Sequence, residues 1–209
     1  MADANNGPTF VLQVGIAAPL LMDNVDTDII SPIGKPPVPG VTDETRAFEP
    51  IRFFSDGREK RDFVLNQEAF RKASIILAGK NFGTGSSRAG AVTRPMDGGI
   101  NVVIAESFGP LFYDNSIRYG LLAVPLDKEK IAYIAQWSRT NPGKSIVVDL
   151  ERQEIKIPGD TSFDFLVEPR VREKLLNAHT PLQEVLRHET EITAFQQSYK
   201  QSSPWVYGE

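Results

Sequence analysis

An α/β fold built on a parallel βαβ core is what this sequence predicts, and two sets of segments predict it. Three short apolar runs, at 73–78, 101–105 and 121–124, are continuous rather than alternating, as strands covered on both faces tend to be. Stretches with helical spacing separate them, which is the strand–helix–strand order of parallel crossover units. Further on, residues 144–150 and 151–158 alternate apolar and polar and read as an antiparallel hairpin. The expected architecture is a mixed sheet with a parallel βαβ core flanked by helices, plus the hairpin.

Taken in order, Phe10-Val11-Leu12-Gln13-Val14-Gly15-Ile16-Ala17 alternates enough to be a strand. Pro19 and the loop Asp23-Asn24-Val25-Asp26-Thr27-Asp28 follow. Residues 32–40 hold four prolines and two glycines, which excludes a helix or an inner strand. An irregular loop of that length inside a compact domain is functional or a plain surface connection. Residues 66–71 suggest a short helix, and 86–97 a longer one limited by Pro95. Phe108, Leu111, Phe112 and Ile117 give 107–119 helical spacing, with Gly120 as its cap. A helix at 127–138, a turn at Asn141-Pro142-Gly143, a strand at 161–167 and a helix-rich segment at 169–198 complete the chain. Residues 1–9 read as a disordered lead, 10–198 as one domain and 199–209 as a polar tail.

Composition narrows the function. The 209 residues carry a formal charge of −4 and a pI near 5.3, which argues against nucleic acid as a partner because phosphate binding needs a basic face. No apolar stretch approaches the roughly 20 residues of a membrane span, and the first residues have neither a basic nor an apolar signal region. The expected location is cytoplasmic. There is no cysteine, which excludes disulfides, a thiol nucleophile and an iron–sulfur cluster ligated by this chain alone. His179 and His188 are the only histidines and read as surface or helix-face residues, not as a metal site or a catalytic triad.

The most informative stretch is Asn81-Phe82-Gly83-Thr84-Gly85-Ser86-Ser87-Arg88-Ala89-Gly90-Ala91. It follows an apolar run and precedes a helical one, so it is a loop delivered by a strand to a helix start. Gly83 and Gly85 allow close backbone approach to a ligand. Free N–H groups at a helix start favour an anion, and Arg88 adds a planar fork suited to a carboxylate. The plainer alternatives are helix capping for Ser86 and Ser87, a structural ion pair for Arg88 and an Asx-turn for Asp28.

Four stretches in this order resemble one family: Asp23 to Asp28, Asn81-Phe82-Gly83 through Arg88, Val102 to Ala105 with Ser107-Phe108, and Phe112-Tyr113 through Asn115-Ser116 with Gly120-Leu121-Leu122. That family is the small subunits of 3-isopropylmalate dehydratase, the swivelling domain of the aconitase superfamily. The resemblance covers roughly residues 10–125 and implies an aconitase-type swivelling α/β domain. It implies a hydro-lyase that takes water from a hydroxy-polycarboxylate and restores it at the neighbouring carbon. It also implies no cofactor or metal on this chain and a 4Fe–4S cluster on a large-subunit partner. Ser86 matches the serine that removes the α-proton, and Arg88 the arginine that clamps a substrate carboxylate. Ser87, Gly83, Thr84 and Gly85 match the anion loop. Asp28, with Thr27 and Ser31, matches the loop facing the cluster side, where Asp28 is expected to be catalytic by orienting catalytic groups or solvent, and Lys35 is the cation nearest to it, a candidate for binding substrate.

Two departures stand out. The family has Cys between the loop glycines and Glu-His after the arginine, where this sequence has Thr84, Ala89 and Gly90. Pro36-Pro37-Val38-Pro39 replaces a basic, Gly-containing segment after Asp28. These changes fit a specialised relative in secondary metabolism better than the leucine-pathway enzyme. Self-association, cluster-independent chemistry on an anionic substrate, and a non-catalytic binding subunit are the competing expectations.

Overall fold

The computed structural model describes residues 9–34, 36–42, 45–177 and 188–207. Lys35, His179 and nearly all of the expected lead lie outside them.

The run at 10–17 divides between two sheets. β1 (Leu12–Gly15) pairs antiparallel with β6 (Ile146–Asp149), whereas β2 (Ala17–Pro19) pairs parallel with β3 (Ile75–Ala78). The switch falls at Ile16, whose carbonyl accepts from the amides of Ser74 and Ile75 at 3.2 Å each. The strands therefore form two four-stranded sheets, β2-β3-β4-β5 and β1-β6-β7-β8. In the first, β4 (Val102–Ala105) and β5 (Leu122–Pro125) continue the parallel order, with Ile75 beside Val102 and Val102 beside Leu122. In the second, β6 and β7 (Glu154–Ile157) are the expected hairpin, and β8 (Thr161–Asp164) extends it.

All residues of β3 and β4 are buried, and their period-two alternation sorts them between two cores. Ile75, Leu77, Val102, Ile104, Leu122 and Val124 pack with Ile146, Val148 and Ile155 of the antiparallel sheet and with Ile131 and Ile134 of helix α5 (Lys128–Thr140). Ile76, Ala78, Val103, Ala105 and Ala123 face the other way, onto Phe48, Phe82 and Phe112. Each such large apolar side chain contributes about 1.5–3 kcal/mol over an exposed one. The continuous apolar runs are thus explained by two cores, one on each face.

Three helical expectations shift, each for a local reason. Residues 66–71 form no α-helix: a 3-10 turn at Val64–Asn66 is followed by turns. Asn66 is drawn into tertiary bonds, donating to the carbonyls of Arg52 at 2.8 Å and Lys60 at 3.0 Å, which competes with helix formation. Helix α3 (Gly90–Asp97) starts after the serines. Helix α4 (Pro110–Tyr119) starts after residue 107, because Phe82 donates to the Ser107 carbonyl at 3.0 Å and Phe108 pairs with Phe82. Pro110 then suits the first helical position, and Gly120 ends the helix at φ 83°. Short helices α1 (Thr27–Ile30) and α2 (Glu49–Arg52) lie in the segment after β2.

Towards the C-terminus come α6 (Pro169–Asn177) and a helix at Glu189–Ser202, followed by a 3-10 turn at Pro204–Tyr207. The segment from 199 onward is therefore helical in part. No helix among the described residues is long and apolar enough to cross a membrane.

Candidate functional site

The carboxyl ends of β2, β3 and β4 deliver three loops to one edge of the parallel sheet, the edge at which open α/β sheets bind ligands. Backbone bonds lace these loops together. Gly83 donates to the Val25 carbonyl at 2.7 Å, Thr27 to Thr84 at 2.8 Å, and Gly109 to Phe82 at 2.8 Å. Asp26 adds a side-chain cap, accepting from the Ile29 amide at 2.7 Å and so starting α1. Parallel pairing thus continues beyond the strands, which fixes the site more firmly than free loops would.

Gly83 is the pivot of this lacing. It sits at φ 74°, and a Cβ there would fall 2.2 Å from Cγ of Phe112. Phe112 is itself 2% exposed and stands edge-on to Phe82 at 5.2 Å. Gly83→Ala is expected to cost about 2–5 kcal/mol, combining left-handed strain with overpacking. Urea unfolding of the variant, at unchanged slope, checks this.

Past Gly83 the loop opens. The backbone amides of residues 85–88 donate to no partner among the described residues, nor does the Ser86 hydroxyl make a hydrogen bond there. Ser86 and Ser87 are exposed, and Ser87 accepts from Asn115 Nδ2 at 3.2 Å. Neither serine caps α3, whose N-cap is Ala89 without a side-chain bond. A run of unpaired amides beside an exposed hydroxyl suits a developing negative charge.

Arg88 forms a two-pronged ion pair with Asp28, Nη1 to Oδ1 and, at 3.2 Å, Nη2 to Oδ2. Hydrogen bonding to Asp28 holds the guanidinium above its ordinary range, and the charges of Asp28 and Asp26 add to this. The Arg88 side chain is 19% exposed and that of Asp28 65%, so the carboxylate is the more solvent-exposed member of the pair. The Asx-type cap belongs to Asp26, not Asp28. Thr27 and Ser31 are buried at 3% and 2% exposure and brace α1 against the glycine loop and α3. The structure therefore brings Asp28, Thr27, Ser31, Thr84, Gly85 and Arg88 together, with Ser86 and Ser87 at their rim.

Beside Asp28 opens a cleft of about 600 Å³, with Asp26, Ile29, Ile33, Phe53 and Phe54 among its walls. Sequence reasoning missed it, and missed Asp26 and Asn115 as positioning residues. The Asp-Thr-Asp pattern ahead of an apolar pair was the available signal for a cap at Asp26. Arg46 and Arg52, two further cations after the proline-rich loop, are turned to protein partners. Arg46 pairs with Glu49 at 2.8 Å in a buried contact, and Arg52 bonds Asn66 Oδ1 at 3.0 Å. His188 is exposed and bonds Glu191 at 2.8 Å. Among the described residues no group of three or more acidic or histidine side chains is placed to hold a metal ion.

A parallel sheet whose carboxyl edge carries a glycine–serine–arginine loop, packed on a separate antiparallel sheet, defines an aconitase-type swivelling domain. The Aconitase C-terminal domain family matches residues 44–129. The crystal structure of 3-isopropylmalate dehydratase from Methanocaldococcus jannaschii aligns over 88% of this chain and 99% of that one, with a TM-score of 0.57 and 26% identity. The 3-isopropylmalate dehydratase small subunit of Paramagnetospirillum magneticum is 38% identical, covering 94% of this chain and 98% of its own. That of Rhodospirillum centenum is also 38% identical, covering 95% and 98%. The chain belongs to the family of 3-isopropylmalate dehydratase small subunits, enzymes of the hydro-lyase class.

Proposed function

We propose that this chain is the small subunit of a cytoplasmic dehydratase that moves a hydroxyl between neighbouring carbons of a hydroxy-polycarboxylate such as 3-isopropylmalate. Ser86 acts as the base and Arg88 as the carboxylate clamp. The observation that carries this reading is the open loop at 85–88, with amides unpaired among the described residues around an exposed hydroxyl, next to a guanidinium paired with an exposed carboxylate.

The sequence contains no cysteine, so this chain offers no thiolate to an iron–sulfur cluster, and the 4Fe–4S cluster belongs to the large-subunit partner. When bound there, the cluster supplies a Lewis acid for the departing hydroxyl. The rest falls to this chain. Arg88 holds one substrate carboxylate in two parallel hydrogen bonds, taking it in exchange for Asp28. Ser86, as the alkoxide, takes the proton from the carbon next to a carboxylate as the neighbouring C–O bond breaks and the double bond forms. Addition of water at the other carbon reverses these steps. A serine hydroxyl is far too weak a base unaided, and each unit of pKa lowered corresponds to about 1.36 kcal/mol. The loop amides and Arg88 supply that stabilisation in a site closed by the partner. The apolar walls of the cleft suit the hydrocarbon part of the substrate.

Co-purification with a co-expressed large subunit tests the assembly. The expected result is a stable heteromer that gains a cluster and converts a hydroxy-dicarboxylate. A self-associating chain that ignores the large subunit overturns the proposal.

A further inference from the structure

We propose that Arg94 is a second carboxylate-binding residue of this site, holding a carboxylate that none of the described residues provides. The inference rests on the reading above only in taking carboxylates to be what this site handles.

Arg94 lies one helical turn after Gly90 on the same face of α3, and helical side chains lean towards the N-terminus. Its head therefore lies over the first turn, next to the loop that holds Ser86 and Arg88. The geometry agrees: a Cβ built on Gly90 would stand 3.6 Å from Arg94 Nε and 2.7 Å from Ser31 Oγ. A Cβ at position 90 would crowd Ser31 and stand in van der Waals contact with the guanidinium, so the head of Arg94 lies directly against position 90. Gly90 leaves the space beside the guanidinium open, and Ala89 brings no acid to neutralise it.

Nothing in the described chain does so either. Nη1 of Arg94 is sealed from solvent without a hydrogen-bond partner, and no ion pair or side-chain hydrogen bond engages the rest of its head among the described residues. Every other partly or wholly buried arginine of this region is satisfied: Arg46 by Glu49, Arg52 by Asn66 and the Thr45 carbonyl, Arg88 by Asp28. A half-buried cation with no counter-charge among the described residues is costly, and a bound carboxylate would offset that cost. Because Nη1 alone is closed off, the Nε–Nη2 edge is the one a carboxylate can approach side-on. That carboxylate comes from the substrate or from the large subunit, and its chemistry is the same in both cases.

The test compares wild type with Arg94→Met and Arg94→Lys. In the isolated chain Arg94→Met is expected to melt at the same temperature or higher, since it removes an uncompensated charge. A fall of several degrees would mean that the guanidinium is structural and would overturn the proposal. In the assembled pair two quantities are read: the rise in melting temperature on adding malonate, a plain dicarboxylate, and the dissociation constant between subunits. Loss of the malonate response in Arg94→Met assigns the carboxylate to the small molecule. A roughly ten- to hundredfold weaker association, with the malonate response intact, assigns it to the partner. If neither changes, Arg94 holds no carboxylate. Arg94→Lys, keeping charge without the fork, is expected to fall between wild type and Arg94→Met. Both readouts work even if the wild-type pair turns over no substrate, so failure of the proposed reaction is seen separately.

Discussion

Ser86→Ala in the assembled enzyme is expected to lower kcat by about 10²–10⁴, the range lost when a positioned general base is removed, with little change in KM. The hydroxyl is exposed and bonds to nothing among the described residues, so its removal takes no stabilising contact from the fold. Single-turnover assays and thermal melts of the same preparation separate the two effects. An unchanged melting temperature with a collapsed rate fits a base. Near-wild-type turnover would mean that Ser86 does not take the proton.

Arg88→Ala is expected to lower kcat/KM by roughly 10²–10³, chiefly through KM, because it removes a bidentate carboxylate contact. Arg88→Lys should recover little, since a point charge cannot reproduce the planar fork. The pairing with Asp28 sharpens this expectation. If Arg88 serves only as an ion-pair partner of Asp28, then Asp28→Asn and Arg88→Ala should do similar, modest damage, as exposed pairs contribute little. If the fork takes substrate in exchange for Asp28, the two variants diverge. Asp28→Asn then lowers KM, because the internal competitor is weakened, while Arg88→Ala raises it steeply. Steady-state kinetics on both variants decide between these outcomes.

Much of this architecture was legible in the chain because its signals are local. The runs at 73–78 and 101–105 are continuous and apolar, and both became strands buried on two faces. Gly120 marked a helix end that lies at φ 83°. The loop at 81–88 announced itself by alternating glycines, and it does lie at the carboxyl edge of the sheet. What was not legible depends on distant partners. The run at 10–17 alternates throughout, so nothing in it says that the chain leaves one sheet for another at Ile16; that is decided by Ser74 and Ile75. Residues 66–71 have helical composition, but Asn66 finds better partners in Arg52 and Lys60 across the fold. The starts of α3 and α4 slipped because Arg88 is held by Asp28 and Phe108 by Phe82. Arg94 could not be singled out at all, because a lone arginine in a helix carries no sign that none of the described residues pairs with it.

The most direct measurement is turnover of 3-isopropylmalate by this chain mixed with its large subunit carrying an intact cluster, alongside each subunit alone. Turnover by the pair, and by neither part separately, is the predicted result. A stable, cluster-loaded pair that leaves the hydroxy acid unchanged, or a lone chain that converts it, would contradict the assignment.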